Sequence, residues 1–138
     1  MTNAEENITT PMNERKNKRE WTRIQKELKV DVVSVVPRGG RASLKLDPIL
    51  TKDVSGNGLG FVVSTDCAVG SILNLCFELP DRKETIQASA KVIWSKPKEE
   101  TGRAHQIGVA FQEIEDLDRL AIIRYVEIEA KREAQGKI

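Results

Sequence analysis

Six short segments of this chain alternate apolar and polar residues with a period of two, and turn residues separate them. Period two is the repeat of a β-strand with one buried face, because successive side chains leave a strand on opposite sides. In the first, Leu28, Val30 and Val32 alternate with Lys29, Asp31 and Val33 before Pro37-Arg38-Gly39-Gly40 turns the chain. The second runs from about Ser43 to Asp53, with Leu44, Leu46, Pro48 and Leu50 at every second position. The third, Leu59 to Ser64, carries Leu59, Phe61 and Val63 on one side. The fourth opens at Gly70 and points Leu73, Leu75, Phe77 and Leu79 one way and Asn74, Cys76 and Glu78 the other. After Pro80-Asp81-Arg82-Lys83, the fifth places Ile86, Ala88, Ala90, Val92 and Trp94 on one face, opposite Gln87, Ser89 and Lys91. A polar connection through Lys98, Glu99, Glu100 and Gly102 leads to the sixth, with His105, Ile107, Val109 and Phe111 in alternation. Six short antiparallel strands, each with one apolar face, predict a small closed barrel.

The period then changes. From Ile114 to Ala134 there is no glycine or proline, and Ile114, Leu117, Ala121, Tyr125 and Ile128 recur at spacings of three and four. This predicts a helix over about 114–134 whose stripe caps or flanks the barrel. Leu120, Ile122, Ile123 and Val126 fall off that stripe and form a second apolar sector, open to rim packing, to a protein partner or to a second copy of the chain. At the other end, residues 1–13 are polar, contain Pro11 and lack periodicity, so they are expected to be a disordered tail preceding a single domain over 14–134.

Charge narrows the function. The chain of 138 residues is 31% charged, yet its net charge is only +1, so any electrostatic function has to be local. Between Glu14 and Lys29 seven cations face three anions, an excess of four concentrated in one segment. That run serves as a solvated face or as a site for an anion. Only six aromatic residues occur, which counts against a nucleic-acid polymer stacked base after base. Cys67 and Cys76 match no metal or redox spacing and are expected as free thiols. His105 has no nucleophile or second histidine in pattern around it, no motif for phosphate binding or hydrolysis is present, and no catalytic, metal or cofactor site is expected. The polar start and the lack of a long apolar run predict a cytoplasmic protein without membrane insertion.

Two short motifs carry the chemistry. Asp53-Val54-Ser55-Gly56-Asn57-Gly58 reads as a hairpin turn, with Asn57-Gly58 between two alternating runs, but it also offers a carboxylate, a hydroxyl and glycines that admit a planar ligand. Upstream lies Arg19-Glu20-Trp21-Thr22-Arg23. An arginine pair spaced RxxxR, followed about thirty residues later by (D/N)xSxxG, resembles the PilZ domain family, as do Ala90-Lys91-Val92-Ile93-Trp94 and Ile107-Gly108-Val109-Ala110-Phe111. The likeness covers roughly residues 15–132. It implies a six-stranded antiparallel barrel with a terminal helix and a bacterial receptor or adaptor for cyclic di-GMP, acting on a downstream protein. On that resemblance, Arg19, Arg23, Asp53, Ser55 and Gly58 bind the ligand, with Arg15, Lys18, Trp21 and Gly56 auxiliary. Arg15 and Arg19 are also spaced RxxxR. The pair Arg19/Arg23 fits the distance to the first strand better, and Arg19 belongs to the site in either register. A PilZ-like module that binds protein regardless of nucleotide is the alternative, and a homodimer through the terminal helix fits both.

Overall fold

The computed structural model describes residues 21–37, 48–64, 67–98 and 104–136. Among them the strands are β1 (Arg23–Gln25), β2 (Lys29–Val36), β3 (Ile49–Ser55), β4 (Gly58–Val63), β5 (Ile72–Glu78), β6 (Thr85–Pro97) and β7 (His105–Ile114), followed by the helix α1 (Asp116–Gly136). Six strands close antiparallel in the order β3-β2-β5-β6-β7-β4 and back to β3. The predicted tail at 1–13 and the predicted start of the second strand at Ser43 lie outside the described residues.

The additional strand β1 lies end to end with β2 along the same edge of β3, pairing Arg23 with Ser55 and Gln25 with Asp53. The break between them falls opposite Thr51. This buried hydroxyl accepts from the Leu28 amide at 2.8 Å and donates to the Lys26 carbonyl at 2.6 Å, so the interruption leaves neither group unpaired. An inward polar residue at 51 also reverses the predicted face of this strand. Thr51 is buried and Leu50 is 54% exposed, because the apolar alternation of the preceding residues does not continue in phase.

The core follows the alternation elsewhere. Val30, Val32, Leu59, Phe61, Leu73, Leu75, Phe77, Ile86, Val92, Ile107 and Val109 are all buried and belong to one cluster. Cys67 joins that cluster, Cys76 is half-buried, and neither forms a disulfide.

The helix caps this core against β1 and β3, with only part of the predicted stripe: Tyr125 is buried and Ala121 packs against the core. Ile122, Tyr125 and Val126 are the buried residues, while Leu117 is 78% exposed and Leu120 and Ile128 also face solvent. The stripe counted from Ile114 starts on a strand, since β7 ends at that residue and the helix begins at Asp116. Apolar residues surround most of the helix, so spacing alone does not select the face that packs. Two ion pairs hold it in place. Arg82 bridges Glu84 and Asp118 in the first turn, and Lys26 reaches Glu129 at 3.4 Å.

Candidate functional site

Two breaks in strand register build the site. In β3 the pairing with β4 shifts between Thr51 and Asp53, so Thr51 points inward opposite Phe61 while Asp53 stands outward opposite Gly60. In β6 the pairing with β7 shifts between Val92 and Trp94, so Val92 points inward opposite Val109 while Trp94 stands outward opposite Gly108. The sequence expectation that Trp94 continues the buried face of Ile86 to Val92 is thereby corrected: one inserted residue moves every later side chain to the other face.

Gly60 and Gly108 are themselves partners. A row therefore crosses the outer wall of the barrel from Asp53 over Gly60 and Gly108 to Trp94. Neither glycine can become alanine without moving what lies above it. A Cβ on Gly60 would sit 2.8 Å from both Asp53 carboxylate oxygens, and one on Gly108 would sit 2.3 Å from Nε1 of Trp94. The result is a shelf on which the Asp53 carboxylate lies over Gly60 and the Trp94 indole over Gly108, both glycines buried beneath them. Strand glycines mark close approach of another group, and this was the available signal for Trp94, Gly60 and Gly108, which sequence reasoning did not place in the site.

Charge is arranged around the shelf. Arg23 lies diagonally across β1 from Asp53 on the same face and forms an ion pair with it through Nη1, the arginine side chain half exposed and the carboxylate 22% exposed. Lys96 Nζ lies 5.6 Å from the ring centroid of Trp94 at the opposite edge. Grooves of about 620 Å³, lined in part by Val33, Cys76 and Ile114, and about 670 Å³ lie elsewhere on the described residues.

The turn beside the shelf is stabilised internally. β3 and β4 form the expected hairpin, but its linking residues are Gly56 and Asn57, and Gly58 already pairs with Ala110. The fully buried Ser55 hydroxyl accepts from the amides of Asn57 and Gly58, both at 3.2 Å, and so closes the turn. Gly58 has no room for a side chain, because a Cβ there would lie 1.9 Å from the Val109 carbonyl oxygen. In this structure Ser55 and Gly58 shape the hairpin that carries Asp53. Trp21 packs over Gly56, whose added Cβ would lie 2.8 Å from the indole and 2.5 Å from Ile123 of the helix.

Arg15, Lys18 and Arg19 lie outside the described residues. Of the two possible arginine pairs, one contains Arg23, and Arg23 is the arginine on Asp53. Among the described residues no group of three or more His, Cys, Asp or Glu is placed to hold a metal ion, and no helix is long and apolar enough to cross a membrane.

An outward carboxylate–guanidinium pair thus stands on the wall of a closed antiparallel barrel capped by one helix. The chain belongs to the PilZ domain family, whose family model matches residues 13–127. That family is a ligand-binding and adaptor module rather than a known enzyme family. Among solved structures, the chain is similar to the inhibitor of motility MotI/DgrA of Bacillus subtilis, at 18% identity and a TM-score of 0.66, over 82% of this chain and 51% of that one. The PilZ domain of YcgR from Escherichia coli, solved with c-di-GMP, matches at 12% identity and a TM-score of 0.57, over 87% and 96%. A tetrameric PilZ domain from Xanthomonas campestris, self-assembled via a helical bundle, matches at 15% identity and a TM-score of 0.51, over 68% and 51%. The chain thus spans about half the length of the first and third of these relatives. No curated protein matches the sequence.

Proposed function

We propose that this chain is a receptor for cyclic di-GMP, bound across the Asp53–Trp94 shelf, and that it works as an adaptor rather than as an enzyme. The observation that carries this reading is the outward Arg23–Asp53 pair, in one row with the Trp94 indole across Gly60 and Gly108. Cyclic di-GMP presents two phosphates and two guanines. A guanidinium donates two parallel bonds to phosphate oxygens or to the O6/N7 edge of guanine, and Arg19, four residues before Arg23, supplies the second of the pair. A carboxylate accepts from guanine N1–H and N2–H, which is the role of Asp53 once Arg23 turns to the ligand. The indole of Trp94 offers a face for stacking a base. The YcgR PilZ domain solved with c-di-GMP is a relative of the same fold.

Output passes through the helix. Leu117, Leu120 and Ile128 are exposed on the side of α1 away from its buried face, in place of the Ile122–Val126 sector expected from sequence. They form a contact for a downstream protein or a second copy of the chain, and the Xanthomonas relative assembles via a helical bundle. The binding test is titration calorimetry with cyclic di-GMP against GTP and cyclic AMP. The wild type binds cyclic di-GMP selectively, and Arg19→Ala and Arg23→Ala each weaken binding about ten- to hundred-fold, the worth of roughly 1.5–3 kcal/mol for a charge-assisted bond. Wild-type affinity in both variants overturns the site.

A further inference from the structure

The two ligand motifs meet at one residue that belongs to neither of them. Arg119, in the first turn of α1, donates from Nη1 to the carbonyl of Gly56 at 2.8 Å, and its guanidinium carbon lies 5.4 Å from the ring centroid of Trp21. Gly56 is the middle of the Asp53–Gly58 motif, and Trp21 is the middle of the Arg19–Arg23 motif. One planar group therefore ties both together, by its edge to the turn and by its face to the indole. The packing beneath is close, since Trp21, Thr22, Gly56, Ile123 and Glu127 leave a space of only about 20 Å³ between them.

We infer that Arg119 is a positioning residue for the ligand site. It sets the distance between the arginine segment and the carboxylate turn, and so couples ligand binding to the helix; this rests on the cyclic di-GMP reading above. The group does not reach the shelf itself. It acts through Trp21, two residues from Arg23, and through the Gly56 carbonyl, three residues from Asp53. Lysine can supply the charge and a hydrogen bond but not the planar fork that both donates and stacks, so the site calls for arginine. Because α1 carries the guanidinium, a shift of the helix moves both motifs, and a ligand that draws the motifs together acts back on the helix by the same free energy.

The experiment compares wild type, Arg119→Met and Arg119→Lys by calorimetry with cyclic di-GMP, by thermal melting, and by NMR of the Trp21 indole and Gly56 amide before and after ligand. Arg119→Met is expected to weaken binding roughly tenfold, with the Trp21 and Gly56 signals displaced in the ligand-free protein and those of β5 unmoved. Arg119→Lys is expected to recover part of the loss. A folded Arg119→Met that binds within about twofold of wild type overturns the inference, as does a drop in melting temperature with affinity unchanged. Should the methionine variant not fold, the lysine variant decides: affinity equal to wild type with a displaced Trp21 signal overturns the inference. Absence of binding by the wild type overturns the functional reading and this inference with it, whereas wild-type binding with unaltered affinity in the variants overturns this inference alone.

Discussion

β5 and β3 are both seven-residue strands of the same barrel, and they obey different rules. β5 alternates strictly and pairs with β6 through seven consecutive residues, Ile72 with Lys91 to Glu78 with Thr85, without a shift. β3 breaks register, buries a threonine, exposes Leu50 and turns an aspartate outward over a glycine. A strand that only builds the core gains from unbroken period two. A strand that must also present a charge at a chosen point needs a bulge to re-aim it. The candidate site lies at two of the register shifts, at Asp53 and at Trp94, while the shifts between Val32 and Ser34 and between Ser89 and Ala90 lie elsewhere on the barrel.

That contrast breaks most visibly at the hairpin leaving β3. Gly58→Ala drives a methyl group into the Val109 carbonyl, a backbone atom that cannot swing aside, so we expect a loss of about 3 kcal/mol or more in chemical denaturation, up to failure to fold. Gly108→Ala, by contrast, meets the half-exposed Trp94 ring, which can swing out, and is expected to damage the shelf more than the fold. In β5, Leu75→Ala should cost roughly 2–5 kcal/mol, because a fully buried side chain leaves a cavity. Its affinity for cyclic di-GMP in the folded fraction should stay that of wild type; a parallel loss of affinity would dissolve the distinction between the two strands.

Asp53→Asn reverses the pattern. Its ion pair with the half-exposed Arg23 contributes at most about 1 kcal/mol to folding, so the denaturation midpoint should hardly move. Calorimetry should nonetheless show binding weakened about ten- to hundred-fold, because a carbonyl oxygen and an amide replace a carboxylate facing two guanine donors. A large loss of stability with affinity intact would make Asp53 a structural residue.

The barrel and the terminal helix were legible from the sequence because β5 and β6 up to Val92 keep strict alternation and β7 turns Ile107, Val109 and Phe111 inward, and hydrophobic burial rewards it. The positions of Asp53 and Trp94 were not, because a bulge is one residue of backbone that leaves no mark on the apolar pattern. Only Gly60 and Gly108, bare in strand interiors, hinted at it. The helix face was partly misassigned, right at Tyr125 and Ala121 but not at Leu117 and Ile128, for a different reason. With apolar residues at 117, 120, 121, 122, 123, 125, 126 and 128, spacing admits more than one stripe, and the packing of Ile122 and Val126 against the barrel decides. Ser55 and Gly58 were legible as a motif, but their hydrogen bonding and close strand contact here appear only once the hairpin is folded.

The smallest effect is expected at Tyr125, which the helix buries with its hydroxyl unpaired among the described residues. Burial, then the nearby carboxylates of Glu129 and Asp81, holds its pKa above the usual 10.0. A phenol with a raised folded pKa contributes stability that is complete below its unfolded pKa and is lost as pH rises through the folded value. Tyr125→Phe should leave neutral stability within about 1 kcal/mol and flatten the decline in melting temperature above about pH 10. An unchanged alkaline slope would mean that the hydroxyl is solvated.

The most direct test of the central claim is an NMR titration of the wild type with cyclic di-GMP, following the backbone amides and the Trp94 indole. Saturable shifts are predicted at Arg23, Asp53, Gly60, Gly108 and the Trp94 indole, with the amides of β5 unmoved. No saturable shift, or shifts that leave the row from Asp53 to Trp94 unaffected, would contradict the assignment of the shelf as the ligand site.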